Sequence, residues 1–252
     1  MNLLDHALFL LCVAIATGAQ TLTGFAFGLM LLGLTSVFGV APMTDVTNVV
    51  GVLVLVNLVA LFARRRPTLP WPQLAPAMLA SLLCVPLGLW LLHRFSAGAT
   101  LVLQGLLGLT ILGCALLLGA RSTALKQVSG RGAFALVGAL GGVLGGLFSA
   151  SGPPIVYLFY RQPMALDLVR GSLAVLFGAN ALLRLALVLA EGSFTASAAW
   201  MTLEAMPVVL AVTWLVQRYG PTQSVRLIRR MVLFLLAVAG IGLVGQSVAG
   251  WL

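Results

Sequence analysis

The chain has 252 residues, of which 61% are hydrophobic and 8% charged, with 14 Lys and Arg residues against 5 Asp and Glu residues. About a quarter of the residues of a soluble domain are charged, so this chain cannot cover a water-facing surface and must have lipid as its solvent. The net charge of +9 lies between apolar runs, as it does in membrane proteins, and we therefore expect the lipid bilayer and not nucleic acid as its partner.

Two kinds of apolar segment follow one another along the chain. A membrane-spanning helix takes about 20 apolar residues, and six such runs lie at 44–63, 73–92, 99–119, 168–190, 197–216 and 231–250. Two longer regions, 3–40 and 132–160, are interrupted by QTLTGFAFG at 20–28 and by SASGPP at 149–154. Each is predicted to form two helical pieces with a break between them, so the expected fold is an all-α polytopic membrane protein.

The order of one broken segment and three helices occurs twice, which predicts two repeats. The first covers 1–119, the second covers 132–252, and 120–131 links them. Matching residues follow the same order in both repeats: Thr21 with Ser149, Thr23 with Ser151, Gly24 with Gly152, and Asn57 with Asn180. Internal repeats of this kind are common in secondary transporters.

Positive charge predicts that the repeats are inverted relative to each other. With both termini outside the cytoplasm, an inverted arrangement puts twelve of the fourteen Lys and Arg residues on the cytoplasmic side, together with the 120–131 linker. A parallel arrangement puts only six there, and Lys and Arg accumulate in cytoplasmic loops. The piece at 153–160 is too short to cross the bilayer, so re-entrant segments fit better than fully spanning ones, although both stay open.

The breaks predict a binding site for an anion. Irregular backbone inside a membrane must be buried in protein or face water, and a helix N-terminus offers N–H groups and a partial positive charge. Pro153 and Pro154 suit the first turn of a helix that Ser151 caps, and Thr23 is expected to cap the matching helix of the first repeat. We expect the two ends to meet at one anion near the membrane midplane. The alternative is that the glycines only permit close helix packing, which we expect for those at 138–146.

Polar residues inside the spans extend the candidate site. The asparagines and Ser172 also fit ordinary hydrogen bonds of membrane helices, and Arg184, one turn beyond Asn180, either attracts the anion or extends to the membrane surface. The candidate substrate-binding residues are Gln20, Thr21, Thr23, Gly24, Asn48, Asn57, Ser149, Ser151, Gly152, Pro153, Ser172, Asn180 and Arg184. Glu204 is the candidate carrier of a coupled proton.

Two stretches of the sequence resemble a known family. GAQTLTGFAFGLMLLGL and GGLFSASGPPIVYLF are similar to the paired Gly-rich signatures of the TauE/SafE sulfite exporter family, also called the 4-toluene sulfonate uptake permease family. The resemblance implies transport of sulfur-containing anions such as sulfite, sulfoacetate or aromatic sulfonates, by exporters or importers. Phe25, Phe27, Phe148 and Tyr157 flank the signatures and either line an aromatic subsite or serve packing.

The residues and the resemblance together indicate a secondary transporter of the bacterial inner membrane, with a midplane site and alternating access. The alternatives are an anion channel and a transporter of a non-sulfur organic anion. The spans contain no Ser/His or paired-Asp constellation, no phosphate-binding loop and no metal-ligand spacing, so we expect no enzyme activity, no cofactor and no metal. The direction of transport and a homodimer are left open.

Overall fold

A computed structural model describes residues 3–23, 25–62, 68–96, 100–119, 125–219 and 225–249. Within these ranges the chain forms ten α-helices and no strand, which confirms the all-helical class. The helices are α1 (Leu3–Thr23), α2 (Phe27–Val37), α3 (Met43–Phe62), α4 (Trp71–Ser96), α5 (Thr100–Gly119), α6 (Arg131–Phe148), α7 (Gly152–Arg161), α8 (Leu166–Ala190), α9 (Ala196–Tyr219) and α10 (Val225–Ala249).

Six helices of the described chain are long and apolar enough to cross a membrane, namely α1, α3, α4, α6, α8 and α9. α2 has 11 residues and α7 has 10, which makes them roughly 16 and 15 Å long. Because the hydrocarbon core is about 30 Å thick, each extends about half way across. The described parts of α5 and α10 add the apolar stretches Leu101–Leu116 and Leu236–Val248. The chain is therefore a multi-pass membrane protein that contains two half-length helices.

Short non-helical breaks separate α1 from α2 and α6 from α7. Thr23 is the last residue of α1, and Ala26 occupies the N-cap position of α2, so the expectation that Thr23 caps α2 is wrong. Ala26 and Ser149 have left-handed backbone conformations, with φ of 82° and 51°, which cost a residue other than glycine about 1–2 kcal/mol. Strain of this kind persists only where the surrounding structure holds it, and it clusters at binding sites.

Glycines bring α6 into backbone contact with α4. A Cβ added at Gly138 would meet the backbone of Ala77, and one added at Gly142 would meet the backbone of Ser81. A Cβ at Gly146 would likewise meet the backbone of α4. This stripe of small residues serves close helix packing, as the sequence predicts.

α3 and α8 pack against each other, and each also packs against one half-length helix. α3 contacts α2, and α8 contacts α7. α3 also packs on α9, where Asn57 Oδ1 accepts a hydrogen bond from Thr213 (3.2 Å). α8 packs on α4, where Asn180 Nδ2 donates to Ser81 Oγ (2.6 Å). These contacts hold α3 and α8 beside the two breaks.

Candidate functional site

A cavity lies where the two breaks meet. Gly28 of α2 is so close to the second break that a Cβ there would lie 2.9 Å from Ala150 Cβ and 3.2 Å from the Ser149 carbonyl oxygen. The space between the breaks has an empty volume of about 460 Å³, a figure that includes space open to solvent. It is lined by Gln20, Phe25, Ala26, Phe27, Gly28, Leu29, Val54, Gly145, Ser149, Ala150, Ser151, Gly152, Phe177, Asn180 and Ala181.

The N-terminus of α2 presents backbone donors to this cavity. Phe27, Gly28 and Leu29 form its first turn and line the cavity. A backbone bond runs from the Met30 N–H to the Ala26 carbonyl oxygen (2.9 Å), so the N–H groups of the three residues between them have no acceptor within the helix. These donors and the partial positive charge of the helix end both favour an anion.

The N-terminus of α7 has fewer donors than the sequence analysis assumes. Gly152, Pro153 and Pro154 form its first turn, and proline has no N–H. Ser151 occupies the N-cap position but makes no capping hydrogen bond, so that expectation is wrong. Its hydroxyl is instead bonded to Nδ2 of Asn180 (2.8 Å). Side chains therefore have to supply most of the donors on this side of the cavity.

Asn180 and Gln20 supply polar groups to the cavity wall. Asn180 Nδ2 donates to Ser81 and Ser151, while its buried Oδ1 has no partner among the described residues. In this orientation the Ser151 hydroxyl proton is free to donate. With the amide turned by 180°, both serines donate to Oδ1 and Nδ2 becomes free instead. A donor is available to a ligand in either case. Gln20 Oε1 is also buried without a partner in the described chain.

Arg184 lies behind Ser149 and is 2% exposed. Its Nε donates to the Gly146 carbonyl oxygen (3.0 Å) near the end of α6, and its Nη1 donates to Asn48 Oδ1 (3.0 Å). The Thr47 carbonyl oxygen accepts from both Arg184 Nη1 (3.4 Å) and Ser149 Oγ (2.8 Å). The guanidinium is thus held inside the protein, and the alternative in which it extends to the membrane surface is wrong.

Six predicted site residues are not among those that line the cavity: Asn48, Arg184, Thr21, Asn57, Pro153 and Ser172. Thr21 and Ser172 each donate to a backbone carbonyl oxygen one turn earlier in their own helix, which is the ordinary alternative for such residues. The side chain of Thr23 and the whole of Gly24 lie outside the described residues.

Glu204 forms a hydrogen bond that no sequence pattern indicates. Its Oε2 lies 2.8 Å from Nδ1 of His6 on α1, and both side chains are about one-third exposed, at 35% and 36%. Asp45, at the start of α3, is more buried (7% exposed) and accepts a hydrogen bond from the Thr195 hydroxyl (2.9 Å). The pair of His6 and Glu204 joins α1 to α9.

Aromatic rings form the apolar part of the cavity wall. Phe25 and Phe27 line it from the first break, and Phe177 lines it from α8. Phe148 is buried and is not among the lining residues, and Tyr157 is instead bonded to the Arg161 side chain. The sequence offers a signal for Phe177, because it lies three residues before Asn180 on the same helical face.

The sequence analysis does not predict two residues that form hydrogen bonds at the site. Ser81 lies on α4, far from Asn180 in sequence, and Thr47 participates through its carbonyl oxygen. Neither contact has a sequence signature, because the first depends on how helices pack and the second on a group that every residue carries.

Comparison with known proteins finds relatives over nearly the whole chain. The family described as "Sulfite exporter TauE/SafE" matches residues 8–243. A protein of Cupriavidus necator H16 named "Probable sulfite/organosulfonate exporter TauE" is 33% identical over 232 residues, which cover 92% of this chain and 91% of the relative. No solved structure matches the chain.

Proposed function

The chain belongs to the sulfite exporter TauE/SafE family, and from this premise we propose that it is a secondary transporter of sulfur-containing anions. Its substrate would be sulfite or an organosulfonate such as sulfoacetate or toluenesulfonate. The relative from Cupriavidus necator is named for the same two classes of anion, which supports this choice. The proposed site is the cavity between the breaks, reached from each side of the bacterial inner membrane in turn.

The observation that carries the proposal is the meeting of two helix breaks at one cavity. Non-helical backbone at membrane depth is tolerated only in such protected places, and transporters use it to bind substrates. A sulfonate or sulfite group has several oxygens that share its negative charge. The backbone N–H groups of Phe27 and Gly28 and the hydrogen-bonded pair of Ser151 and Asn180 offer donors to those oxygens. The phenyl rings that line the cavity would contact the organic substituent of a sulfonate; they belong to Phe25, Phe27 and Phe177.

Alternating access requires two structural halves that move against each other, and we propose the inverted repeats for this role. The packing supports the presence of two repeats because contacts recur when the halves are exchanged, while the inversion rests on the distribution of positive charge. α3 packs on α9 as α8 packs on α4, and each contact contains an asparagine bonded to a hydroxyl, Asn57 with Thr213 and Asn180 with Ser81. In this arrangement α2 and α7 are the re-entrant pieces and both termini lie outside the cytoplasm.

The membrane potential changes the free energy of transport in opposite senses for export and import. An inside-negative potential assists an anion that leaves the cell by about 2.3 kcal/mol per charge per 100 mV. Export therefore needs no coupled ion, whereas import does. For import we propose the carboxylate of Glu204, paired with His6, as the proton carrier.

Flux into proteoliposomes tests the proposal. Labelled sulfite and toluenesulfonate should enter with saturation and should be accelerated by the same anion inside, as expected of a carrier. Ser151→Ala removes a cavity hydroxyl and should weaken apparent affinity by at least about tenfold, since a hydrogen bond to a charged group contributes about 1.5–3 kcal/mol. Ser172→Ala is the matched control, because Ser172 is also buried but lies off the cavity wall.

The same assay separates the two alternatives. Flux that rises linearly with concentration and lacks trans-stimulation would identify an anion channel. Equal transport of acetate or toluate would identify a carrier of organic anions without preference for sulfur. Equal behaviour of the Ser151 and Ser172 variants would exclude the cavity as the binding site.

A further inference from the structure

Arg184 is a buried cation that forms no direct ion pair with any residue of the described chain. All five acidic residues of the chain lie in the described ranges, and none of them forms an ion pair with Arg184. The exposed carboxylate of Glu191, at the end of α8, attracts Arg184 electrostatically but does not contact it. Its hydrogen-bond acceptors are two backbone carbonyl oxygens and the Asn48 amide oxygen, all of them neutral. A charged side chain inside a membrane protein is costly and normally has a partner. An external anion would supply the direct contact that no carboxylate of the chain makes with Arg184.

One end of the guanidinium is free to bind that anion. Nη2 of Arg184 is buried and has no hydrogen-bond partner in the described chain, whereas Nε and Nη1 are fully engaged. The engaged nitrogens fix the side chain in place, so that the remaining N–H groups are presented without further loss of conformational entropy.

The position of Arg184 connects the cavity with one face of the protein. Ser149, which lines the cavity, and Arg184 share the Thr47 carbonyl oxygen as acceptor. Asn48 accepts from Arg184 and donates from Nδ2 to the Ser193 carbonyl oxygen (3.3 Å), in the loop between α8 and α9. Both ends of this amide are defined by their partners, since a guanidinium only donates and a carbonyl only accepts. A continuous chain of hydrogen bonds thus links the cavity wall to the loop.

We propose that Arg184 is the counter-ion of the transported anion and that its free Nη2 marks a second anion position between the cavity and the α8–α9 loop. The inference rests on the proposed function of the cavity and deepens it. An oxyanion that enters or leaves by the loop would exchange between Nη2 and the donors of α2, so that it meets positive charge along the path. Asn48 is a positioning residue that holds the guanidinium by its neutral oxygen.

A built-in carboxylate beside Arg184 should replace the substrate at this position. Asn48→Asp is isosteric and puts a negative charge at the oxygen that is 3.0 Å from Nη1. Gly51 gives an independent site, because a Cβ there would lie 4.0 Å from Nη1 and 3.6 Å from Ser149 Oγ. Gly51→Asp should act like Asn48→Asp, and Gly51→Asn is its neutral control of equal size. Ser197→Asp adds the same charge at an exposed position near the loop.

Binding and flux of sulfite and toluenesulfonate would be measured for the whole protein in detergent and in proteoliposomes. The two carboxylate variants next to Arg184 should bind both anions at least about tenfold more weakly than wild type and Gly51→Asn, while Ser197→Asp should bind like wild type. Arg184→Lys should lose affinity but retain a residual preference for anions over neutral analogues.

The outcomes separate this inference from the proposed function. If wild type transports sulfite and both carboxylate variants match their neutral counterparts, the counter-ion assignment is overturned while the cavity proposal stands. If wild type transports neither anion, the proposed function itself fails. If both carboxylate variants fail to fold while Gly51→Asn folds, the inference is also overturned, because a carboxylate should lower the cost of burying a guanidinium that forms no direct ion pair.

Discussion

At the scale of single residues, the backbone of Ala26 is strained at the N-terminus of α2. Its φ of 82° lies in the left-handed region, which glycine adopts without a steric cost. Ala26→Gly removes about 1–2 kcal/mol of steric cost and adds about 0.5–1 kcal/mol of unfolded-state entropy, so we expect a net stabilisation of about 0.5–1 kcal/mol. Thermal unfolding in detergent should show a higher midpoint. Ala150→Gly is the control, because Ala150 lies in the other break with an ordinary φ, and its midpoint should fall.

The sequence predicts which polar residues belong to the site better than it predicts what each of them does. Gln20, Ser151 and Asn180 stand out because polar groups are rare in apolar segments, and all three line the cavity. Ser151 was misassigned as a cap because its position favours capping, while its actual partner, Asn180, lies on another helix. Periodicity places Arg184 on the face of Asn180, but only the fold shows that it points inward.

At the scale of helices, the contact between α4 and α6 depends on the absence of side chains. Gly142→Ala would force a Cβ against the backbone of Ser81, and overpacking of this kind costs about 1–3 kcal/mol. Gly132→Ala on the same helix meets nothing within 4 Å and should instead stabilise the protein by about 0.5–1 kcal/mol through helix propensity. Unfolding midpoints of the two variants should therefore move in opposite directions, and a parallel shift would contradict the packing described for this interface.

Helix breaks are predictable from sequence because the segments that contain them depart from the length and composition of an ordinary membrane-spanning helix. The segment after Ser149 combines two prolines with a length too short to cross, and the structure has a ten-residue helix there. The first break has no proline, and its left-handed residue is Ala26 although glycines stand at positions 24 and 28. Local composition indicates that the chain must break, but it does not identify Ala26 as the residue that takes the strained conformation.

At the scale of the whole molecule, charge asymmetry and the short helices lead to one testable topology. In the inverted arrangement the linker at 120–131 and the loop between α8 and α9 lie on opposite sides of the membrane, whereas parallel repeats put them on the same side. Lys126 and Ser197 are exposed reporters of these two places. Both would be changed to cysteine, one at a time, in a chain whose Cys12, Cys84 and Cys114 are replaced by alanine or serine.

A membrane-impermeant thiol reagent should label Ser197→Cys in intact spheroplasts and Lys126→Cys only after permeabilisation, because loops rich in Lys and Arg stay in the cytoplasm. Labelling of both variants before permeabilisation, or of neither, would indicate parallel repeats. Labelling of Lys126→Cys alone would keep the inversion but reverse the orientation. The expected pattern also places Arg184 correctly for its proposed role. The loop that carries Ser193 would then be extracytoplasmic, so an exported anion would pass from the cavity to Arg184 and leave by that loop.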